Sequence, residues 1–225
     1  MGTLKLPLGR RATDGAEDLN RRRALLAAAL ALAGLALPVR AQKGPDTDPA
    51  IVQIRTFYDA LLAAMKQAEQ LGVRGRYDKL APVIRATFDL AAMTRIAVGP
   101  DWTSIPPDQQ TSLVDHFSRM TIATYASRFD GYSGQSFDID PEVQSRNTGR
   151  IVRTKLNRPK EEPVTLNYLM RGSGDSWKIV DVYLSGTISE LATQRSEFGA
   201  ILKAGGPAAL IESLKQQIDK LMRKA

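Results

Sequence analysis

The chain contains no cysteine. That excludes a disulfide framework, a thiolate metal site and a cysteine nucleophile. It also excludes a lipid-modified cysteine behind a leader. There is a single histidine, His116. Metal binding would therefore fall to carboxylates, yet no Asp-x-Asp-x-Asp-Gly loop and no His-Glu-x-x-His pair occurs. No Gly-x-Ser-x-Gly elbow and no Gly-x-x-x-x-Gly-Lys phosphate loop is present. Gly172-Ser173-Gly174 is flanked by extended runs and reads as a hairpin turn. Neither a catalytic cofactor nor a metal is implied.

No apolar run is long enough to span a bilayer, which takes about 20 residues. The longest is the fourteen-residue stretch Ala24–Leu37. Arg21-Arg22-Arg23 precedes it, and Pro38-Val39-Arg40-Ala41 follows, with short side chains at the −3 and −1 positions of a cut after Ala41. Basic cluster, apolar run and small-residue site in that order are the layout of a secretory signal peptide. Arg10-Arg11 and Arg21-Arg22 raise the twin-arginine route, but neither pair carries the rest of that pattern. The reading is a signal peptide over 1–41, a flexible linker over 42–48, and one domain over 49–225.

Export changes the meaning of the charge. The whole chain carries +7. Residues 1–41 hold seven Lys/Arg and three acids, so +4 leaves with the leader and +3 remains. The remainder has no run of five like charges, and no aromatic residues interleave a basic patch. Nucleic acid is not an expected partner. The exported form should be soluble, and its 184 residues are enough for one domain with a real core.

Asp48-Pro49 reads as a helix start, Asp as the N-cap and Pro in the first turn. Ile51, Ile54, Tyr58, Leu61, Leu62 and Met65 follow at helical spacing, with Leu71-Gly72 as the stop. Shorter helices are expected over 76–87 and 89–98, with a break at Gly99-Pro100 and Trp102 in the loop beyond. Pro106-Pro107 opens a long helix to about Phe129, and Gly131 and Gly134 end it. Extended runs follow at 136–145, 150–157, 164–171 and 176–184, separated by turn chemistry. Short loops between successive strands imply an antiparallel four-stranded meander. Thr187-Ile188-Ser189-Glu190 has capping-box form, and Gly205-Gly206-Pro207 divides two closing helices. The fold class is α+β.

In the run 176–184 the even row is Lys178, Val180, Val182, Leu184, and the odd row is Trp177, Ile179, Asp181, Tyr183. Both rows are largely apolar, so the strand should be covered on both sides. Ordinary core packing and an apolar cavity on one face both fit this pattern. Asp181 is the one acid in an apolar row, where a lone carboxylate is costly; Arg128 or Arg195 would serve as its ion-pair partner. His116 sits mid-helix beside a hydrophobic face and reads as a satisfied helical histidine. Asp138 and Asp140 alternate on one strand and read as solubilising acids.

Three phrases stand in register over most of the chain. They are Tyr125-Ala-Ser-Arg128-Phe129-Asp-Gly131-Tyr132-Ser-Gly134, Trp177-Lys-Ile-Val-Asp181-Val-Tyr-Leu-Ser-Gly186-Thr-Ile-Ser189, and Arg195-Ser-Glu-Phe198-Gly-Ala-Ile-Leu-Lys-Ala-Gly205-Gly206 with Leu210-Ile-x-x-Leu214 after it. Together, behind a signal peptide, they resemble the MlaC family of periplasmic lipid carriers, also called the toluene-tolerance family. Arg76-Tyr77-Asp-Lys-Leu80-Ala-Pro82, Phe88-Asp89 and Val98-Gly99-Pro100-x-Trp102 resemble its hopanoid-associated HpnM branch.

The resemblance implies a curved antiparallel sheet packed with N-terminal and C-terminal helices around an apolar cavity. It implies a carrier, not an enzyme, that shuttles a hopanoid or phospholipid between inner and outer membranes. The implied partners are an ATP-driven inner-membrane transport complex of the ABC type and an outer-membrane lipoprotein or exporter, with the carrier itself a monomer. The expected cavity residues are Met93, Ile96, Trp102, Phe117, Met120, Tyr125, Phe129, Leu166, Tyr168, Trp177, Ile179 and Tyr183. Val180, Val182 and Leu184 replace the odd row if the last strand faces the other way. A small α+β enzyme, for example an isomerase using Asp181 and Tyr183, and a non-catalytic envelope adaptor are the competing readings.

Overall fold

A computed structural model of the chain describes residues 48–223. The signal-peptide assignment, and all of the linker but Asp48, lie outside the described residues. The first helix, α1, is Pro49–Met65, and the Asp48 carboxylate caps it by accepting the Ala50 N–H at 2.9 Å. Arg150 also reaches Asp48 at 3.0 Å, which ties the helix start to the sheet. Ile51, Ile54, Phe57, Tyr58 and Leu61 form its buried stripe.

The second helix, α2, spans Ala68–Thr87, so the first break falls at Met65 and not at Leu71-Gly72. Gly72 is still a break within α2, at φ 57°, a left-handed angle that glycine adopts without strain. Helix α3 is Leu90–Val98, with the Asp89 carboxylate accepting the Ala92 N–H. Gly99–Ser104 winds as a 3₁₀ helix, so Trp102 sits in a turn of helix instead of an open loop. Helix α4 is Pro107–Arg128. It buries Leu113, Phe117, Met120 and Ile122.

The sheet is antiparallel, with strands β1 (Ser136–Ile139), β2 (Gln144–Arg146), β3 (Gly149–Arg158), β4 (Glu161–Ser173), β5 (Ser176–Leu184) and β6 (Ile188–Ser189). Its order is β1-β3-β4-β5-β6, with β2 also paired to β3. The expected first run, 136–145, divides in two around Asp140-Pro141, because proline lacks the N–H a ladder needs. The last helix, α5, is Glu190–Arg223, interrupted at Gly206 (φ 68°) before Pro207. Its N-cap is Ser189, whose hydroxyl accepts the Ala192 N–H at 2.9 Å, and not Thr187 as the capping-box pattern suggested.

One irregularity reorders the faces of β5. Leu166 pairs with Leu184 and Tyr168 with Val182, but Met170 pairs with Ile179, because a bulge lies between Leu169 and Met170. An extra residue in one strand reverses its side-chain alternation. The inner row of β5 therefore runs Leu184, Val182, Ile179, crossing from the even to the odd positions. All four residues from Ile179 to Val182 are buried. Simple alternation could not have assigned this strand.

Helix α1 lies on the inner face of the sheet. Tyr58 stacks on Phe137 with ring centroids 3.9 Å apart, and Phe57 meets Tyr168 edge-on at 6.4 Å. The corner between α2 and α3 is pinned to β5 where the Asp89 N–H donates to the Ile179 carbonyl at 2.9 Å. Helices α4 and α5 pack against each other, with Phe117 edge-on to Phe198 at 6.3 Å. No helix among the described residues is long and apolar enough to cross a membrane.

Candidate functional site

The helices do not fill the sheet's inner face completely. A cavity of about 660 Å³ lies between α4, the start of α5 and strands β3, β4 and β5. Binding pockets for small organic ligands typically enclose about 300–1,000 Å³. Helix α4 supplies Phe117, Met120, Thr121, Thr124 and Tyr125. This is one continuous face, since the residues recur at helical spacing. The strands supply Leu156, Val164, Leu166, Tyr168, Val182 and Leu184. Met65, Phe88 and Met93 come from α1, the α2–α3 corner and α3. Apolar side chains dominate the interior, and all three methionines are buried, where flexible thioethers adapt to irregular shapes.

The charged residues of the wall gather at one end. The segment from Phe129 to Gln135 follows α4 without regular structure, and Asp130, Gly131, Tyr132 and Ser133 there are exposed. Arg128, Arg158, Glu190 and Gln194 join them in the wall. This is the mouth. Burial raises the Glu190 pKa above the usual carboxylate range, against the opposing pull of Arg128; Asp181 and Glu197 add to the rise.

Three buried tyrosines form a polar seam, of which Tyr125 and Tyr168 line the cavity and Tyr58 lies behind its wall. The Tyr58 hydroxyl lies 2.5 Å from Thr154 Oγ1 and 3.1 Å from the Tyr168 hydroxyl. Thr154 in turn donates to the Leu166 carbonyl at 2.5 Å. Tyr125 lies beside Tyr168 and edge-on to Phe57 and Phe88. Burial pushes all three phenol pKa values above 10, so these groups are neutral hydrogen-bonding hydroxyls.

Seven of the twelve residues expected at a cavity line this one: Met93, Phe117, Met120, Tyr125, Phe129, Leu166 and Tyr168. Five do not. Ile96 and Trp102 pack against the core from α3 and the 3₁₀ helix. Trp177 lies beyond the bulge, under the Arg150 guanidinium at 4.5 Å, and donates its indole N–H to the Gly174 carbonyl. Ile179 is fully buried against the α2–α3 corner. Tyr183 falls on the other face, opposite Asn167. The even-row alternative supplies Val182 and Leu184 to the wall, but Val180 is not among the lining residues.

Asp181 has no arginine partner among the described residues, contrary to expectation. Its Oδ1 accepts the Val182 N–H at 2.8 Å and the Leu191 N–H at 3.3 Å, and its Oδ2 accepts the Ser189 hydroxyl at 2.6 Å. The carboxylate thus holds the start of α5, where the helix dipole favours negative charge. Neither Asp181 nor Tyr183 lines the cavity, so the pair does not form an acid–base site there. His116 Nδ1 lies 2.7 Å from the Ser112 carbonyl one turn back, and no carboxylate reaches it among the described residues. Asp138 accepts from Asn157, and Asp140 pairs with Arg153 at 2.7 Å. No cluster of three metal-ligating side chains occurs among the described residues.

Sequence reasoning missed the mouth residues Arg128, Arg158, Glu190 and Gln194, and the strand residues Leu156 and Val164. Alternation could have found the last two, since Val164 shares the row of Leu166 and Tyr168, and Leu156 is the direct partner of Val164.

A family model described as MlaC protein matches residues 55–216. Among solved structures, the chain is similar to the phospholipid-binding protein from Ralstonia solanacearum in complex with a phospholipid. The two are 26% identical, the match covers 76% of this chain and 98% of that one, and the TM-score is 0.67. No curated protein matches the chain.

Proposed function

Because the chain belongs to the MlaC family, we propose that it is a lipid carrier whose cargo occupies the cavity between α4, α5 and the sheet. The observation that carries this reading is the chamber of about 660 Å³, mostly apolar, with its charged groups gathered at one end. Each buried methylene gains roughly 0.8 kcal/mol on leaving water, so a lipid tail crosses an aqueous space only inside such a chamber. The Ralstonia protein, solved with a phospholipid, supports phospholipid as a cargo class. The phrases shared with the HpnM branch support a hopanoid instead.

In this reading residues 1–41 direct export, 42–48 form a linker, and the domain from 49 onward works in the periplasm as a monomer. It would take its cargo from one membrane and deliver it to the other. An ATP-driven inner-membrane complex and an outer-membrane lipoprotein or exporter are its partners. The carrier acts by binding alone, and no covalent step is assigned to it. Lipid extraction and native mass spectrometry of the purified protein test the proposal. A bound phospholipid or triterpenoid at one copy per chain is the expected result. Lipid-free protein that also fails to take lipid from vesicles overturns it.

A further inference from the structure

The cavity wall carries two buried polar atoms with no hydrogen-bond partner among the described residues: Arg158 Nε and Gln194 Oε1. The third atom in that condition, Asn167 Oδ1, belongs to a residue outside the wall. Leaving such a group unpaired is costly, so folded proteins keep few of them.

Arg158 is fixed in place. Its Nη1 bonds the Glu161 carboxylate, and its Nη2 donates to the Glu162 carbonyl at 2.7 Å. Both anchors come from its own hairpin and hold the guanidinium plane, leaving the buried Nε–H without an acceptor. Glu161 also offsets much of the charge, so the site suits an acceptor oxygen more than a free anion. Gln194, one turn into α5, offers an amide that donates or accepts depending on its rotation. A pure hydrocarbon satisfies neither residue. An oxygenated lipid satisfies Arg158 at once.

We propose that Arg158 and Gln194 are polar anchors that select lipids bearing ester or phosphoryl oxygens over hydrocarbon lipids. This rests on the carrier reading of the same cavity. It adds a discrimination that an apolar chamber alone does not provide.

The test compares the delipidated protein with Arg158→Lys and Gln194→Leu for uptake of dioleoylphosphatidylcholine, dioleoylglycerol and squalene. Lysine keeps a cation for Glu161 but has no donor at the Nε position. Arg158→Lys should weaken phosphatidylcholine about tenfold and squalene less than twofold, with the melting temperature preserved. Dioleoylglycerol that follows phosphatidylcholine assigns the contact to an ester carbonyl; dioleoylglycerol that follows squalene assigns it to the phosphoryl group. Gln194→Leu should keep or raise the melting temperature of the empty protein while lowering phosphatidylcholine uptake. Equal loss for phosphatidylcholine and squalene, or no loss for either, overturns the anchor proposal while the carrier stands. Arg158-dependent binding of inorganic phosphate alone overturns it in favour of a free anion site. A wild-type protein that takes up none of the three lipids overturns the carrier reading itself.

Discussion

Met120→Arg separates a hollow interior from a filled one. Met120 is 4% exposed and sits on the α4 face between Phe117 and Tyr125, in the cavity wall. In the empty protein an arginine there can extend into the chamber and toward its exposed mouth, and stay hydrated. Folding should survive. Once a lipid chain enters, the guanidinium loses that water, and the effective penalty for burying an unpaired charge is several kcal/mol. At about 1.4 kcal/mol per decade, a loss of about 4 kcal/mol lowers affinity roughly 10³-fold. Met120→Leu conserves volume and chemistry and should change affinity less than about tenfold. The assay is transfer of labelled lipid from vesicles to protein, with circular dichroism and melting temperature as fold controls. If folded Met120→Arg protein takes up lipid like the wild type, the chamber is not where cargo sits. If it fails to fold, the position is packed core, and the hollow-interior reasoning fails with it.

Other perturbations test the surrounding assignments. Tyr183→Ala removes a ring that sequence reasoning placed at the cavity and the structure places on the opposite face; lipid uptake should stay within twofold, and a larger loss at full folding would return Tyr183 to the site. Tyr168→Phe removes the hydroxyl beside Tyr58 and should cost about 1 kcal/mol, a drop of roughly 2–4 °C in melting temperature for a domain of this size; an unchanged value would mean the hydroxyl seam contributes nothing to stability. Asp181→Ala frees the Ser189 hydroxyl and the Leu191 N–H and should destabilise by about 3 kcal/mol in thermal melts, with lipid affinity of the folded fraction preserved; lost uptake at an unchanged melting temperature would give Asp181 a direct functional role. Glu190, with its raised pKa, favours the folded state most when protonated, so its contribution is full below about 4.5 and is lost as pH rises through the folded value. Glu190→Gln should flatten that descending segment of the pH–stability curve, and an unaltered slope would refute the assignment.

The legible parts of the chain were those with strong local causes. Asp48-Pro49 sets the start of α1 because a carboxylate cap and a proline in the first turn act within three residues. The α4 face from Phe117 to Tyr125 followed from helical spacing, and it supplied three of the expected cavity residues, with Phe129 just past the helix end as a fourth. The rows of β4 were equally plain, since Leu166 and Tyr168 alternate with polar partners. On β5 the same reasoning failed, because both rows are apolar and the bulge opposite Leu169 and Met170 shifts the inner row from Val182 to Ile179. A bulge is set by how two strands fit, and neither strand records it alone.

By itself, then, the sequence determined the α+β class, the starts of α1 and α4, and the lack of cysteine or a metal-ligating motif, because each depends on residue type or on neighbours a few positions apart. The tertiary structure alone decided that a chamber of about 660 Å³ remains between α4, α5 and the sheet. It also decided that Arg158 and Gln194 leave polar atoms unpaired in its wall. Whether apolar faces meet or stand apart depends on distances between elements far separated in the chain. Helical and alternating patterns show which side of an element turns inward, but not how far away the opposing side lies.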